Sequence, residues 1–327
     1  MIPASTSSGK KAFLAILFLI VAATGAVFFF SKQHTTLQQA PAPAPLQPSA
    51  HLIDSATLIR HFAYLTTDAM AGRETGTPGN LLAQQYIVHI FDSLQLSKTG
   101  DSYLQPFSFN NIQGNNVIGM LKGSEYPDTY LVISAHYDHL GIRNGTIYYG
   151  ADDNASGSAA LLTLAQYFKN HPPKHSIIFA AFDAEEKGLR GSNYFVEHSP
   201  VPLTSIQVDL NMDMVSRNDN HEIYASGIFH YPFLEQYVDS IQKTAAVRVL
   251  KGHDDRSKGA HDDWTNQSDH YAFHKQKIPF LYFGVEDHPD YHKPSDTFDK
   301  VDKQFYYRVC TMIAQTALLL DRQEKLQ

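Results

Sequence analysis

Residues 176–182 read Ser-Ile-Ile-Phe-Ala-Ala-Phe, and the run ends abruptly in Asp183-Ala184-Glu185-Glu186. A stretch this short, uncharged and without polar alternation fits a strand covered on both faces, the habit of parallel sheets layered between helices. The rest of the chain agrees with that reading. Segments 116–121, 130–135, 147–149, 206–212, 222–225 and 278–283 are strand-like. Helical spacing or an apolar, Ala/Leu-rich composition predicts helices over 52–65, 80–94, 155–168, 231–244 and 301–320. Strands alternating with helices predict an α/β fold, with a mostly parallel mixed central sheet flanked by helices. Functional side chains in such sheets gather past the carboxyl ends of the strands.

The front of the chain has a different character. Residues 12–30 carry no charge and follow Lys10 and Lys11. About 20 apolar residues at ~1.5 Å each cross a ~30 Å hydrocarbon layer, and flanking lysines favour the cytoplasmic side. The expectation is a cytoplasmic segment 1–11, a transmembrane signal anchor over 12–30 and an exported body. Cleavage as a signal peptide, giving a secreted protein, is the competing expectation, although the apolar stretch is long for one. Residues 31–50 contain alternating Ala and Pro, which predicts a semi-rigid extended spacer. The globular domain then spans 51–327. One cysteine, Cys310, excludes an internal disulfide scaffold. With one anchor and a short spacer, it favours a bacterial periplasmic location. The formal charge of -7 understates the acidity of the body, because residues 1–53 hold three Lys and no Asp or Glu. That leaves 23 of the 26 Lys and Arg against all 33 Asp and Glu, which argues against nucleic acid as a partner.

Polar clusters fall where the predicted strands end. His136-Tyr137-Asp138-His139 follows 130–135, and Asp183-Ala184-Glu185-Glu186 follows 176–182. Asp213 closes 206–212, Tyr291-His292 lies beyond 278–283, and Asp152-Asp153 leads into the helix predicted over 155–168. Taken singly, a carboxylate past a strand is a cap or turn residue, and a histidine is a hydrogen-bonded one. Five clusters at one edge of a sheet point instead to a cation, since crowded carboxylates repel one another without it. Imidazoles mixed with carboxylates suit Zn²⁺.

These clusters carry the motifs AHYDHLG (135–141), GADDNASG (150–157), FDAEEKGLRGS (182–192), NMDM (211–214), SDHYAF (268–273) and YHKPSDT (291–297), with AGRETGTPGN (71–80) ahead of them. In that order they resemble the M28 family of co-catalytic zinc peptidases, the family of the bacterial leucyl aminopeptidases. The resemblance runs from about Ile53 to Leu320. It implies two Zn²⁺ per chain, one held by His136 and Asp213, the other by Glu186 and His292. Asp153 would bridge them, through an Asp153–Asn154 peptide that is cis in similar enzymes. Glu185 would be the general base and acid, and Asp138 the carboxylate that orients His136. Asp152 reads as a turn and cap residue, and His288, four residues before His292, as a false ligand. His139 is expected in a loop or along the cleft, and His270 in the wall of the site. Tyr271 and Tyr291 are candidates for an electrophilic helper.

The implied activity is a metallo-exopeptidase, an aminopeptidase acting on peptides with a free N-terminus. Two metals lower the pKa of a water and polarise the scissile carbonyl. Adjacent Glu185 and Glu186 can divide the work, one binding metal while the other handles the proton. A carboxypeptidase-type or glutaminyl-cyclase-like relative, or a non-catalytic peptide-binding module, are the alternatives. The complete set of ligand positions disfavours the last two.

Overall fold

A computed structural model describes residues 52–259 and 262–326. The apolar stretch 12–30 and the spacer 31–50 lie outside the described residues. Among the described residues, no helix is long and apolar enough to cross a membrane. The helices are α1 (Ser55–Leu65), α2 (Pro78–Ser93), α3 (Gly157–Asn170), α4 (Arg190–Glu197), α5 (Glu235–Gln242), α6 (His270–Lys275) and α7 (Lys303–Asp321). The strands are β1 (Leu104–Phe109), β2 (Ile112–Leu121), β3 (Tyr126–His136), β4 (Gly141–Arg143), β5 (Thr146–Tyr148), β6 (His175–Phe182), β7 (Ile206–Met212), β8 (Glu222–Ser226), β9 (Arg248–Lys251) and β10 (Phe280–Gly284).

Eight strands form one sheet in the order β1-β2-β6-β3-β7-β10-β8-β9, and β4 and β5 make a separate hairpin. The middle four, β6-β3-β7-β10, are mutually parallel. Antiparallel pairing joins β1 to β2, β2 to β6 and β8 to β10, so the sheet is mixed, as expected, with its parallel part at the centre. The registers bring the carboxyl ends of the middle strands level. His136 faces Phe182, and Phe283 faces Met212. Asp183 and Asp213 are therefore the first residues beyond two strands of that shared edge.

Every residue of β6 is buried, and the alternation explains why the sequence shows no polar face. Ile177, Phe179 and Ala181 join a large core that includes Leu161 and Leu164 of α3 and Val309 and Ile313 of α7. Ile178, Ala180 and Phe182 join a smaller one with Phe195 of α4 and Phe273 of α6. Both faces are covered, so both must be apolar. Asp54, Thr77 and Asp302 cap α1, α2 and α7 by accepting from N–H groups of their first turns, which marks those starts well.

Five elements lie outside the sequence expectation: β1, β4, β9, α4 and α6. Pro106 sits in β1, tolerated because the strand is at the sheet edge. Helix α4 opens Arg-Gly-Ser-Asn, a poor helix former, yet packs Phe195 and Val196 into the smaller core. Helix α6 lies within a stretch that reads as a polar loop, and it is fixed by burial of Ala272 and Phe273.

Candidate metal centre

The centre is built from loops that the fold ties down at the main chain. After β3 the pairing continues for one more residue, with Tyr137 N–H donating to Phe182 O at 2.9 Å. Gly150 opens the next loop at φ +55°, where a Cβ would stand 2.1 Å from Asp153 O and 2.4 Å from the His139 ring. Glycine is required there on both conformational and steric grounds. The Asp296 carboxylate accepts the N–H groups of Asp152 at 3.0 Å and Asp153 at 3.2 Å. The Asp153–Asn154 peptide is cis. The Asn154 amide then donates to Met212 O and accepts Gly157 N–H, each at 2.8 Å, which joins this loop to the end of β7. Asp138 accepts the N–H groups of Glu185 at 3.0 Å and Glu186 at 3.3 Å.

So held, the side chains converge. His136 Nε2 is 3.1 Å from Asp213 Oδ1 and 3.5 Å from Asp153 Oδ1. On the other side of the same carboxylate, His292 Nε2 is 3.0 Å from Asp153 Oδ2 and 3.4 Å from Glu186 Oε2. The two oxygens of Asp153 thus face two different donor sets. His136, Asp153 and Asp213 form one group with donor atoms close enough to share a cation, and His139, Asp153 and Glu186 form a second.

The electrostatics fit a cation. His292 is drawn up to about 10, its burial outweighed by the close carboxylates of Asp153 and Glu186. His136 is likewise raised, against burial, by Asp213 and Glu185. Burial and the neighbouring Glu186 push Asp153 up to about 6. Histidines that hold protons beside a carboxylate reluctant to ionise describe a pocket short of positive charge. Asp153 Oδ2, Glu186 Oε1 and His139 Nδ1 are also buried without a hydrogen-bond partner, an arrangement costly unless something accepts them. Imidazole nitrogens and carboxylate oxygens are the donor set zinc takes. Glu185 stands beside this pocket. Burial, then Asp213, Asp269 and Glu186 against the pull of His136, raise its carboxyl well above the ordinary range.

His136, Asp153, Glu185, Glu186, Asp213 and His292 come together at this edge, and the other residues singled out from the sequence take varied places. The Asp138 carboxylate lies 3.6 Å from His136 Nδ1, farther than the Asp138 carbonyl at 3.2 Å, and its closer bonds hold the Glu185–Glu186 backbone. Asp152 accepts Ser216 N–H and O–H at 2.8 and 2.7 Å, a structural role. His288 is 3.2 Å from Asp152 Oδ2 and outside both donor groups. His270 is buried, with Nε2 at 3.0 Å from Trp264 O. Tyr291 stacks on His292 with ring centroids 3.9 Å apart, whereas Tyr271 lies under the Lys275 ammonium.

Four residues at the centre were not assigned to it from the sequence. His139 is fully buried, with Nδ1 2.8 Å from Glu186 Oε1. Its spacing of three from His136 was the available signal. Asp296 lies inside the quoted motif YHKPSDT, without a sign of its role. Tyr282, in the last strand of the parallel block, donates to Asp213 O at 3.3 Å. Arg73 is buried, and its guanidinium donates to the carbonyls of Leu65, Tyr137, Tyr149 and Gly150 at 2.8–2.9 Å.

With fold and site in view, similarity to known proteins gives the class. The sequence model of Peptidase family M28 matches residues 116–317, and the chain belongs to that family. Aminopeptidase YwaD of Bacillus subtilis (strain 168) is 30% identical over 249 residues, covering 73% of this chain and 50% of that protein. The chain thus spans half the length of that relative. Among solved structures, a zinc aminopeptidase from Bacillus subtilis superposes with a TM-score of 0.66 at 16% identity, covering 86% of this chain and 100% of the other. Porphyromonas gingivalis glutaminyl cyclase does so at 0.67 and 16%, covering 81% and 98%. At such identities the likeness is one of fold.

Proposed function

We propose that this protein is a zinc-dependent aminopeptidase that removes N-terminal residues from peptides. The observation that carries the reading is Asp153, whose two oxygens face His136 and Asp213 on one side and Glu186 and His292 on the other. His136 and Asp213 would hold one zinc, Glu186 and His292 the second, and Asp153 both. Zinc bound there supplies a Lewis acid that polarises a carbonyl and makes water a better nucleophile near neutral pH.

The chain's own groups do the rest. Glu185 Oε takes the proton of the attacking water and returns it to the leaving amine nitrogen. Its raised pKa suits both halves of that transfer. Asp138 fixes Glu185 and Glu186 through consecutive backbone N–H groups, so that one carboxylate turns to metal while its neighbour stays free. Asp296 does the same for Asp153. Residues 12–30 would anchor the enzyme in a membrane, with the catalytic domain exported, in a bacterium to the periplasm.

The test uses matched peptides with free and acetylated N-termini, followed by mass spectrometry, with chelation and zinc add-back. Stepwise loss from the free N-terminus, abolished by chelation or acetylation, is the expected result. Cleavage of the acetylated peptide from its other end would reverse the polarity to a carboxypeptidase. Cyclisation of N-terminal glutamine without hydrolysis would make the protein a glutaminyl cyclase.

A further inference from the structure

Among the described residues, His139 is the one buried imidazole at the centre that the di-zinc reading leaves without work. It is completely buried, and neither ring nitrogen has a hydrogen-bond partner. A neutral imidazole normally uses both nitrogens when it is taken out of water. Here Nδ1 is 2.8 Å from Glu186 Oε1 and 3.6 Å from Asp153 Oδ2. The Glu186 oxygen is near enough for a hydrogen bond but not aligned for one, and it too is unpartnered, as is Asp153 Oδ2. Three orphaned donor atoms, one nitrogen and two oxygens, therefore face one another within 4.8 Å.

The surroundings hold the ring in that orientation. Gly150 leaves room for it, since any Cβ there would stand 2.4 Å from His139 Cγ and Cδ2. His139 N–H also donates to Arg73 O at 3.3 Å, and the His292 ring meets the His139 ring edge-on at 5.9 Å between centroids. The two imidazoles flank the same pair of carboxylates, His139 from the buried side and His292 from the partly exposed side.

We propose that His139 is a sixth protein ligand of the centre, contributing Nδ1 to the ion that Asp153, Glu186 and His292 hold. This rests on the di-zinc reading and deepens it. The second ion then has two histidines, one on the partly exposed face and one sealed in the core. Exchange of that ion is slowed, and fewer of its positions are open to substrate than at the His136–Asp213 side.

The experiment loads the full chain, ¹⁵N-labelled at histidine, with ¹¹³Cd²⁺ and reads scalar coupling between the metal and each ring nitrogen. Ring signals are assigned with His139→Asn and His292→Asn. Coupling to His139 Nδ1 as well as to His136 and His292 is the expected result. In parallel, chelator competition should show His139→Asn releasing one ion with at least ~100-fold lower affinity, beyond the ~10–100-fold typical of a partner that merely orients a ligand, while the other ion is retained. Two bound cadmium ions with no coupling to His139 would overturn the proposal and leave the di-zinc reading standing. Fewer than two bound ions in the unmodified chain would overturn both. The wild-type coupling needs no variant, so a misfolded substitution does not obscure the answer.

Discussion

Replacing Arg73 by methionine tests how the centre is held when no ion is present. Burial lowers its pKa to about 10, with Asp153, Asp296, Asp138 and Glu186 working in the opposite direction, so the guanidinium remains charged at neutral pH. Its Nε and Nη groups donate to four main-chain carbonyls in three separate segments: Leu65, Tyr137, Tyr149 and Gly150. Methionine fills much of the volume but donates to none of them. Gly150 O keeps the Ala155 N–H at 3.2 Å, which leaves three carbonyls to lose a charged donor. An abandoned buried acceptor costs about 1–3 kcal/mol. Substituting a buried ion is harmless only where its partners become apolar as well, and carbonyls cannot. After allowing for relief of the buried charge, the loss is roughly 3–5 kcal/mol, or about 5–9 °C in melting temperature for a domain of this size. Thermal unfolding followed by circular dichroism reads it directly. The drop should be larger after chelation, because Asp138, Asp153, Glu186 and Asp296 then have lost both the ion and the arginine. An Arg73→Met protein within about 1 kcal/mol of wild type would refute the structural part of this reasoning. An equal drop with and without chelator would refute the electrostatic part.

Three further outcomes are expected. Glu185→Gln should retain its zinc by elemental analysis while losing peptide hydrolysis by about two orders of magnitude or more; normal turnover in the metal-replete variant would remove Glu185 from its role. Gly150→Ala should lose metal uptake and about 2 kcal/mol or more of stability, because the left-handed backbone at φ +55° and the contacts with Asp153 O and the His139 ring both oppose a Cβ. His61 is held neutral in the fold, its pKa lowered to about 4 by burial and then by Arg60. Its folded pKa lies below the unfolded value near 6.5, so the stability it contributes is present above about pH 6.5 and is lost as pH falls towards 4. The slope is at most about 1.4 kcal/mol per pH unit. Urea unfolding at a series of pH values should show a shallower acid limb for His61→Gln.

The α/β class and the location of the centre were legible because both depend on patterns that are local in sequence. Apolar runs such as 176–182 need no partner to be recognised, and the polar residue that ends each run marks the sheet edge. What spacing and composition alone do not give is the division of labour inside each acidic pair, which rests on the family resemblance. Asp152 and Asp153 are equivalent as sequence, yet one oxygen of Asp152 accepts Ser216 N–H and O–H while Asp153 points into the centre. The distinction depends on partners distant in sequence, Ser216 for Asp152 and His136 and His292 for Asp153. Arg73 was invisible for the same reason, since its partners are carbonyls and no pattern of residue types records them. Helices α4 and α6 were missed because tertiary burial of two residues apiece overrides weak local propensity.

The pairing of acids has a physical logic. Asp138, Asp183 and Asp296 each spend their oxygens on main-chain N–H groups: Glu185 and Glu186 for the first, Asn115 and Ala184 for the second, and Asp152 and Asp153 for the third. Backbone N–H groups are fixed by the surrounding sheet and loops, so these contacts do not depend on an ion. The carboxylates that face the centre are in turn fixed by the acids behind them. That distinguishes the scaffold of this site from small metal domains, which fold only around their ion. The fold therefore bears the repulsion among the inward carboxylates by itself, with Arg73 and the raised histidines as its compensating charges. A bound metal would relieve that repulsion, so the charge of Arg73 and the charge of the ion should act on stability as partial substitutes for each other.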